Sequence, residues 1–188
     1  MMTYPNAAAG LKTVYQARLV GLISIVLVIV PIVQVLAVAA MLIAGFLALV
    51  GLAQCRKDDN GYCTAFNMVI AGLVTNLAAS LVSAYAGAEG FAGICGNILS
   101  IATDVLSLAS LYFVCITTNR LLKETAAAEN LIDRGIVVWR LNVVCTVILL
   151  VCYLLRMIPG NIAAIIAGYL AIFALIAQIV GNVLYILY

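Results

Sequence analysis

Four polar side chains recur along one apolar stretch, "NILSIATDVLSLAS" at positions 97–110: Asn97, Ser100, Asp104 and Ser107. Spacings of three, four and three put them on one face of a helix. Thr103 and Ser110 flank that stripe. A carboxyl group among hydroxyls and an amide could hold a cation, carry a proton or line a solute pathway. Such a residue at mid-membrane depth costs about 2.5–3.5 kcal/mol on insertion scales, so it is expected to face protein or water. Asn76, with Ser80 and Ser83 continuing its face, is expected at a similar depth on the preceding helix. No lysine or arginine shares that level, which favours a neutral, protonated acid. Two readings stay open. In one, Asp104 and Asn76 form an ion or solute site; in the other, Asp104 bonds across helices as packing glue worth about 0.6 kcal/mol.

Other chemistry is sparse. Histidine is absent, and Cys55, Cys63, Cys95, Cys115, Cys145 and Cys152 contain no C-x-x-C pair, so no metal site or cofactor is expected. Hydrolysis inside a membrane would need paired aspartates, a nucleophile–base dyad or a metal, and none is legible. The chain is not read as an enzyme. "KDD" at 57–59 is expected to be a solvated charged loop, with too few oxygen ligands for Mg²⁺ or Ca²⁺.

These residues sit in a chain of 188, of which 67% are hydrophobic and 9% charged, with mean hydropathy +1.26. Soluble domains carry about 25% charged residues. Lipid must therefore be the solvent for most of this sequence. A net charge of +2 without a basic run gives no basis for nucleic-acid binding. The N-terminal stretch lacks a signal-peptide pattern, and the first span is expected to act as an uncleaved signal anchor.

Three apolar blocks, 19–53, 63–116 and 136–188, are each too long for one crossing of about 20 residues. "AGAEGFAG" and "RMIPGN" divide the second and third. Pro31 divides the first, because it removes a backbone donor and restricts its predecessor. An all-α single domain of six transmembrane helices results, arranged as three hairpins with short outer turns. The spans are expected at 12–30, 33–54, 63–85, 91–118, 136–157 and 160–187. The 117–135 segment reads as a continuation of the fourth span followed by a turn at Gly135. Trp139 and Arg140 mark the interface.

Charge tests the count independently. With six spans, Lys12, Arg18, Arg56, Lys57, Arg120, Lys123, Arg134 and Arg140 share one side and only Arg156 faces the other. Five spans would divide the same residues 6 to 3. The positive-inside rule selects six, with both termini cytoplasmic in a bacterial-type inner or plasma membrane.

Ala40, Ala44 and Ala48, and Ala163, Ala167 and Ala171, form stripes at spacing four that let helices approach closely. Packing within one subunit is their ordinary role. Gly87, Gly90, Gly93 and Gly96 recur around Glu89, either as a flexible outer turn or as an outer vestibule whose Glu89 attracts cations. In size and span count, and in its small-residue stripes, the chain resembles the substrate-binding subunits of energy-coupling-factor vitamin transporters. That resemblance implies docking to a partner subunit. The residues themselves lead first to a homo-oligomeric channel or transporter for ions or small solutes. The rival is a non-transporting scaffold that docks a membrane partner.

Overall fold

The computed structural model describes residues 4–28, 34–86, 90–124, 129–156 and 161–186. These form six helices in chain order and, among the described residues, no strand: α1 (Pro5–Val28), α2 (Gln34–Cys55), α3 (Asn60–Ala86), α4 (Gly90–Glu124), α5 (Glu129–Arg156) and α6 (Asn161–Ile186). Three stretches are long and apolar enough to cross a membrane: Asn60–Val82, Gly93–Lys123 and Leu131–Leu155. Leu42 (72% exposed), Leu77 (63%) and Phe173 (67%) turn outward. Water would not tolerate so much exposed apolar surface in a monomer, whereas lipid does. This is the make-up of a membrane-embedded protein.

Each helix packs on the helices before and after it, and α6 also packs on α1. The most extensive packing joins α1 to α2, α3 to α4 and α5 to α6. α1 and α2 meet where neither has a side chain. A Cβ on Gly51 would lie 2.7 Å from the Gly10 carbonyl oxygen and 2.9 Å from the Val14 backbone nitrogen. Further along, a Cβ on Gly21 would lie 3.9 Å from that of Ala44, so the two helices run antiparallel.

The buried core gathers at one end of the bundle. Ala7 and Val14 of α1, Leu52 and Cys55 of α2, Tyr62 and Ala65 of α3, and Val114 and Leu121 of α4 form one cluster. Tyr62 is fully buried, and its hydroxyl lies 2.9 Å from that of Thr118. The Ser110 hydroxyl donates to the Ala65 carbonyl at 3.3 Å. The Arg18 guanidinium lies 5.0 Å above the Tyr185 ring and donates to the Asn182 side-chain oxygen Oδ1 at 3.4 Å, tying α1 to α6.

Lys57 is exposed as expected of a solvated loop, but Asp58 and Asp59 are bonded to other elements. Asp58 accepts the Asn6 side-chain amide and the Ala7 backbone N–H, both at 2.7 Å, and so satisfies donors in the first turn of α1 from outside that helix. Asp59 caps α3: its carboxylate accepts the Gly61 N–H at 2.7 Å and its carbonyl the Tyr62 N–H at 3.2 Å. Its second oxygen pairs with Arg120 of α4. Two adjacent carboxylates thus tie together three helices. With Asp58 as its cap, α1 begins at Pro5 rather than residue 12. Proline suits that first turn because an orphan N–H is missing there anyway.

A prediction arises at Asp58. The Asn6 amide, and after it the Ala7 N–H, hold this carboxyl below its ordinary 3.8. A lowered folded value means stability that is fully present above the unfolded value and lost as pH falls through the folded one. Asp58→Ala is therefore expected to be less stable than wild type at neutral pH, with the difference closing in acid as pH falls below the ordinary 3.8. Thermal unfolding across pH checks it; a difference that stays constant through that fall would show that the charge on Asp58 contributes nothing.

Two further expectations meet the structure here. α4 does continue past the expected end of the fourth span, to Glu124. Gly135, however, does not turn the chain: it lies inside α5 and is buried. Six residues of helix precede it, and the charged "ENLIDR", expected to continue the fourth span, forms the first turns of α5. Pro31, Pro159 and Glu89, the residues of the expected outer turns, lie outside the described residues.

Candidate functional site

A pair of threonines sets the level of the site. The Thr75 hydroxyl of α3 and the Thr103 hydroxyl of α4 lie 3.0 Å apart. Each also reaches a carbonyl of its own helix, Thr75 that of Gly72 at 3.0 Å and Thr103 that of Leu99 at 2.9 Å. Two hydroxyl protons serve these three contacts, so one threonine donates to the other and the second donates to its own backbone. The pair brings Asn76 and Asp104, one residue on in each helix, to the same depth.

Asp104 is half-buried, and its carboxyl group is hydrogen-bonded by Tyr153 of α5. Its Oδ2 is buried without a partner, as is Trp139 Nε1. Burying a polar atom unpaired is costly, and such atoms are few in folded proteins. A carboxyl group bonded at one side only can accept a proton, a cation or a donor from a solute. Around it, Asn97 and Ser100 are half-buried and Ser107 is exposed. The Ser100 hydroxyl donates to the Gly96 carbonyl at 3.0 Å.

Where Ser107 points matters more than its exposure. The outward apolar residues of α4 are Ile94, Ile98, Val105, Tyr112 and Ile116. At about 100° per residue, Ser107 lies about 200° round from Val105. It is exposed on the side of α4 opposite that stripe. On α3 the outward residues are Ile70, Leu73, Val74, Leu77 and Leu81, and Asn76 lies at the margin of that stripe, about 60° round from Leu73. Asn76 is exposed too, and its carbonyl accepts the Ser80 hydroxyl at 3.0 Å.

The five residues singled out along the sequence therefore share one region, but in two settings. Asp104 faces α5 and bonds Tyr153, whereas Asn76 and Ser107 are open. Tyr153 escaped the sequence reading; its only signal was a phenol in the otherwise aliphatic "ILLVCYLL". Ala40, Ala44 and Ala48 are half-buried, with Ala44 against α1. Glu89 lies outside the described residues, as do the side chains of Ala163, Ala167 and Ala171. Among the described residues no cluster of three or more histidine, cysteine, aspartate or glutamate side chains could hold a metal ion. The six cysteines are free thiols.

No protein-family model matches this chain, no curated protein matches it, and no solved structure does. The residues of the site stand as the basis for assigning it a role.

Proposed function

We propose that the chain is a six-span protein of a bacterial-type inner or plasma membrane, built as three hairpins, that passes ions or small solutes as a homo-oligomer. One observation carries this reading. Ser107, close to the level of Asp104, is exposed on the side of α4 turned away from its apolar stripe, and Asn76 is exposed at the margin of the α3 stripe near the same level. A polar side chain open at mid-membrane depth needs water or another chain beside it, since lipid would leave it unpaired. Asp104, one turn from Ser107 on α4, keeps its buried Oδ2 unpartnered.

The capping cluster supports the orientation. Through Asp58 and Asp59 it gathers the start of α1, the 55–62 turn and Arg120 at one end, where Arg56, Lys57 and Lys123 also lie. This is the basic, cytoplasmic side under the positive-inside rule. The bond from Tyr153 to Asp104 favours the rival, because a carboxyl satisfied inside one subunit can simply join α4 to α5 in a scaffold or partner-docking protein.

The Asp104→Asn variant separates the two. Asparagine keeps the shape of the protonated acid and its capacity to bond Tyr153, so folding and assembly are expected to persist. In liposomes the variant is expected to change ion or solute flux several-fold, or to lose the pH dependence of that flux. Wild-type protein that passes nothing, or a variant with unaltered flux and pH profile, ends the permeation reading and leaves the scaffold.

A further inference from the structure

A groove of about 360 Å³ runs between α4 and α5 at the basic end of the bundle. Tyr112 and Ile116 of α4 and Ile136 and Trp139 of α5 line it, and Arg120 and Lys123 stand at its rim. We propose that this groove is a binding site for one anionic phospholipid, its phosphate held by Arg120 and Lys123 and part of an acyl chain lying along the apolar walls. The proposal rests on the membrane placement argued above, and not on permeation.

Shape and charge agree on this occupant. Tyr112, Ile116 and Ile136 are exposed, so the groove opens sideways, toward the space that lipid fills. The Tyr112 and Trp139 rings, 5.4 Å apart between centroids, bridge the two helices. Beneath the rim, the Asn119 side-chain amide donates to the Ile132 carbonyl at 3.4 Å and holds α4 to α5. Gly135 lines the same groove. A glycine inside a helix costs about 1 kcal/mol relative to alanine, so its place in α5 needs a reason, and leaving this groove unfilled supplies one. Tryptophan beside lysine and arginine is also the pairing found where a membrane meets water.

Neighbouring residues show why the anion belongs here. A larger cleft of about 720 Å³ shares Ile116 and Arg120 with the groove, but Asp58 and Asp59 line it and offset Arg56 and Lys57. No acidic side chain lines the α4–α5 groove among the described residues. Asp59 pairs with Arg120 through Nη2 and fixes its arm. A guanidinium carries five N–H donors, so others remain for a phosphate oxygen. Lys123 is exposed one turn further along α4 and adds a second positive charge.

The test is lipid retention by the purified full chain in neutral detergent, read by native mass spectrometry. Phosphatidylglycerol and phosphatidylcholine with identical acyl chains are added in competition, and glycerol phosphate is added separately as a headgroup without chains. Two interfacial cations are expected to favour phosphatidylglycerol by about thirtyfold. Lys123→Gln is expected to lower that preference about fivefold. Gly135→Leu, which fills the groove, is expected to remove the bound lipid. If Gly135→Leu fails to give a monodisperse protein, Arg120→Gln combined with Lys123→Gln takes its place, with loss of the preference expected. Equal retention of the two lipids overturns the site, as does retention indifferent to these substitutions. Displacement of the lipid by glycerol phosphate at equal concentration overturns the acyl-chain groove. A chain that retains phosphatidylglycerol selectively but passes no solute leaves this inference standing while permeation falls; one that conducts without lipid preference does the reverse.

Discussion

Gly51→Ala is expected to destabilise the protein, although alanine is the better helix former. A Cβ at this position would lie 2.7 Å from the Gly10 carbonyl oxygen and from Val14 Cγ2, and 2.9 Å from the Val14 nitrogen. Two of these three atoms belong to the backbone of α1, so relief requires the helices to part. Overpacking of this kind costs about 1–3 kcal/mol, and the gain in helix propensity offsets up to about 1 kcal/mol. A net loss of about 1–2 kcal/mol is expected for alanine, and failure of α1 to seat for leucine. Gly45→Ala in the same helix is the control. Nothing lies within 4 Å of a Cβ there, so propensity acts alone and the variant should gain about 0.5–1 kcal/mol. Thermal unfolding of the three proteins in one detergent decides the matter. If Gly51→Ala matches or exceeds Gly45→Ala, α1 and α2 do not cross at Gly10 and Gly51.

Tyr62→Ala should have the larger effect. Tyr62 is fully buried near the start of α3, in one cluster with residues of α1, α2 and α4. Truncating a large buried aromatic leaves a cavity that a packed interior closes only in part, at about 3–5 kcal/mol. Tyr62→Phe removes only the hydroxyl contact to Thr118, at 2.9 Å. That should cost about 1 kcal/mol, since Thr118 can turn to a carbonyl of its own helix. Equilibrium unfolding should therefore rank wild type above Phe and Phe well above Ala. A loss below about 1 kcal/mol for Ala would mean that the basic end is not the stable core of the bundle.

Helix positions were largely readable because lipid leaves a backbone few choices. With no water to satisfy N–H and C=O groups, an apolar run must close its own hydrogen bonds, and helices follow. The observed α2 to α6 begin and end within a few residues of the expected spans 33–54, 63–85, 91–118, 136–157 and 160–187, apart from the extensions of α4 to Glu124 and of α5 back to Glu129. The errors cluster where charge is dense. By sequence, the fourth helix runs on through "ENLIDR" and the chain turns at Gly135, whereas α5 begins at Glu129 and holds Gly135 in its interior. "KDD" resembles a solvated loop because its partners are 51, 52 and 61 residues away. No local pattern announces a carboxylate that caps a helix elsewhere in the chain.

The candidate site divides in the same way. Helical spacing places Asn97, Ser100, Asp104 and Ser107 along one length of α4, because that periodicity is a property of one helix. The depth shared by Asn76 and Asp104 also follows from counting residues inward from each end. Which neighbour each residue meets depends on how α4 is rotated between α3 and α5. That rotation is set by side chains on all three helices: Thr75 against Thr103, Ser110 against Ala65, and Tyr112 beside Trp139. It turns Asp104 to Tyr153 and leaves Ser107 open. Small residues behave alike. The sequence marks an alanine stripe in α2, but the closest approach of α1 and α2 falls at Gly10 and Gly51, because it depends on where two helices cross and not on either alone. The sequence by itself determined the apolar character, the helices and the level of each polar group along its own helix, all of which follow from hydropathy and a rise of about 1.5 Å per residue. Tertiary structure alone decided the partners, because a hydrogen bond or a backbone contact between helices is fixed by their mutual rotation and crossing point, and no single helix carries that information.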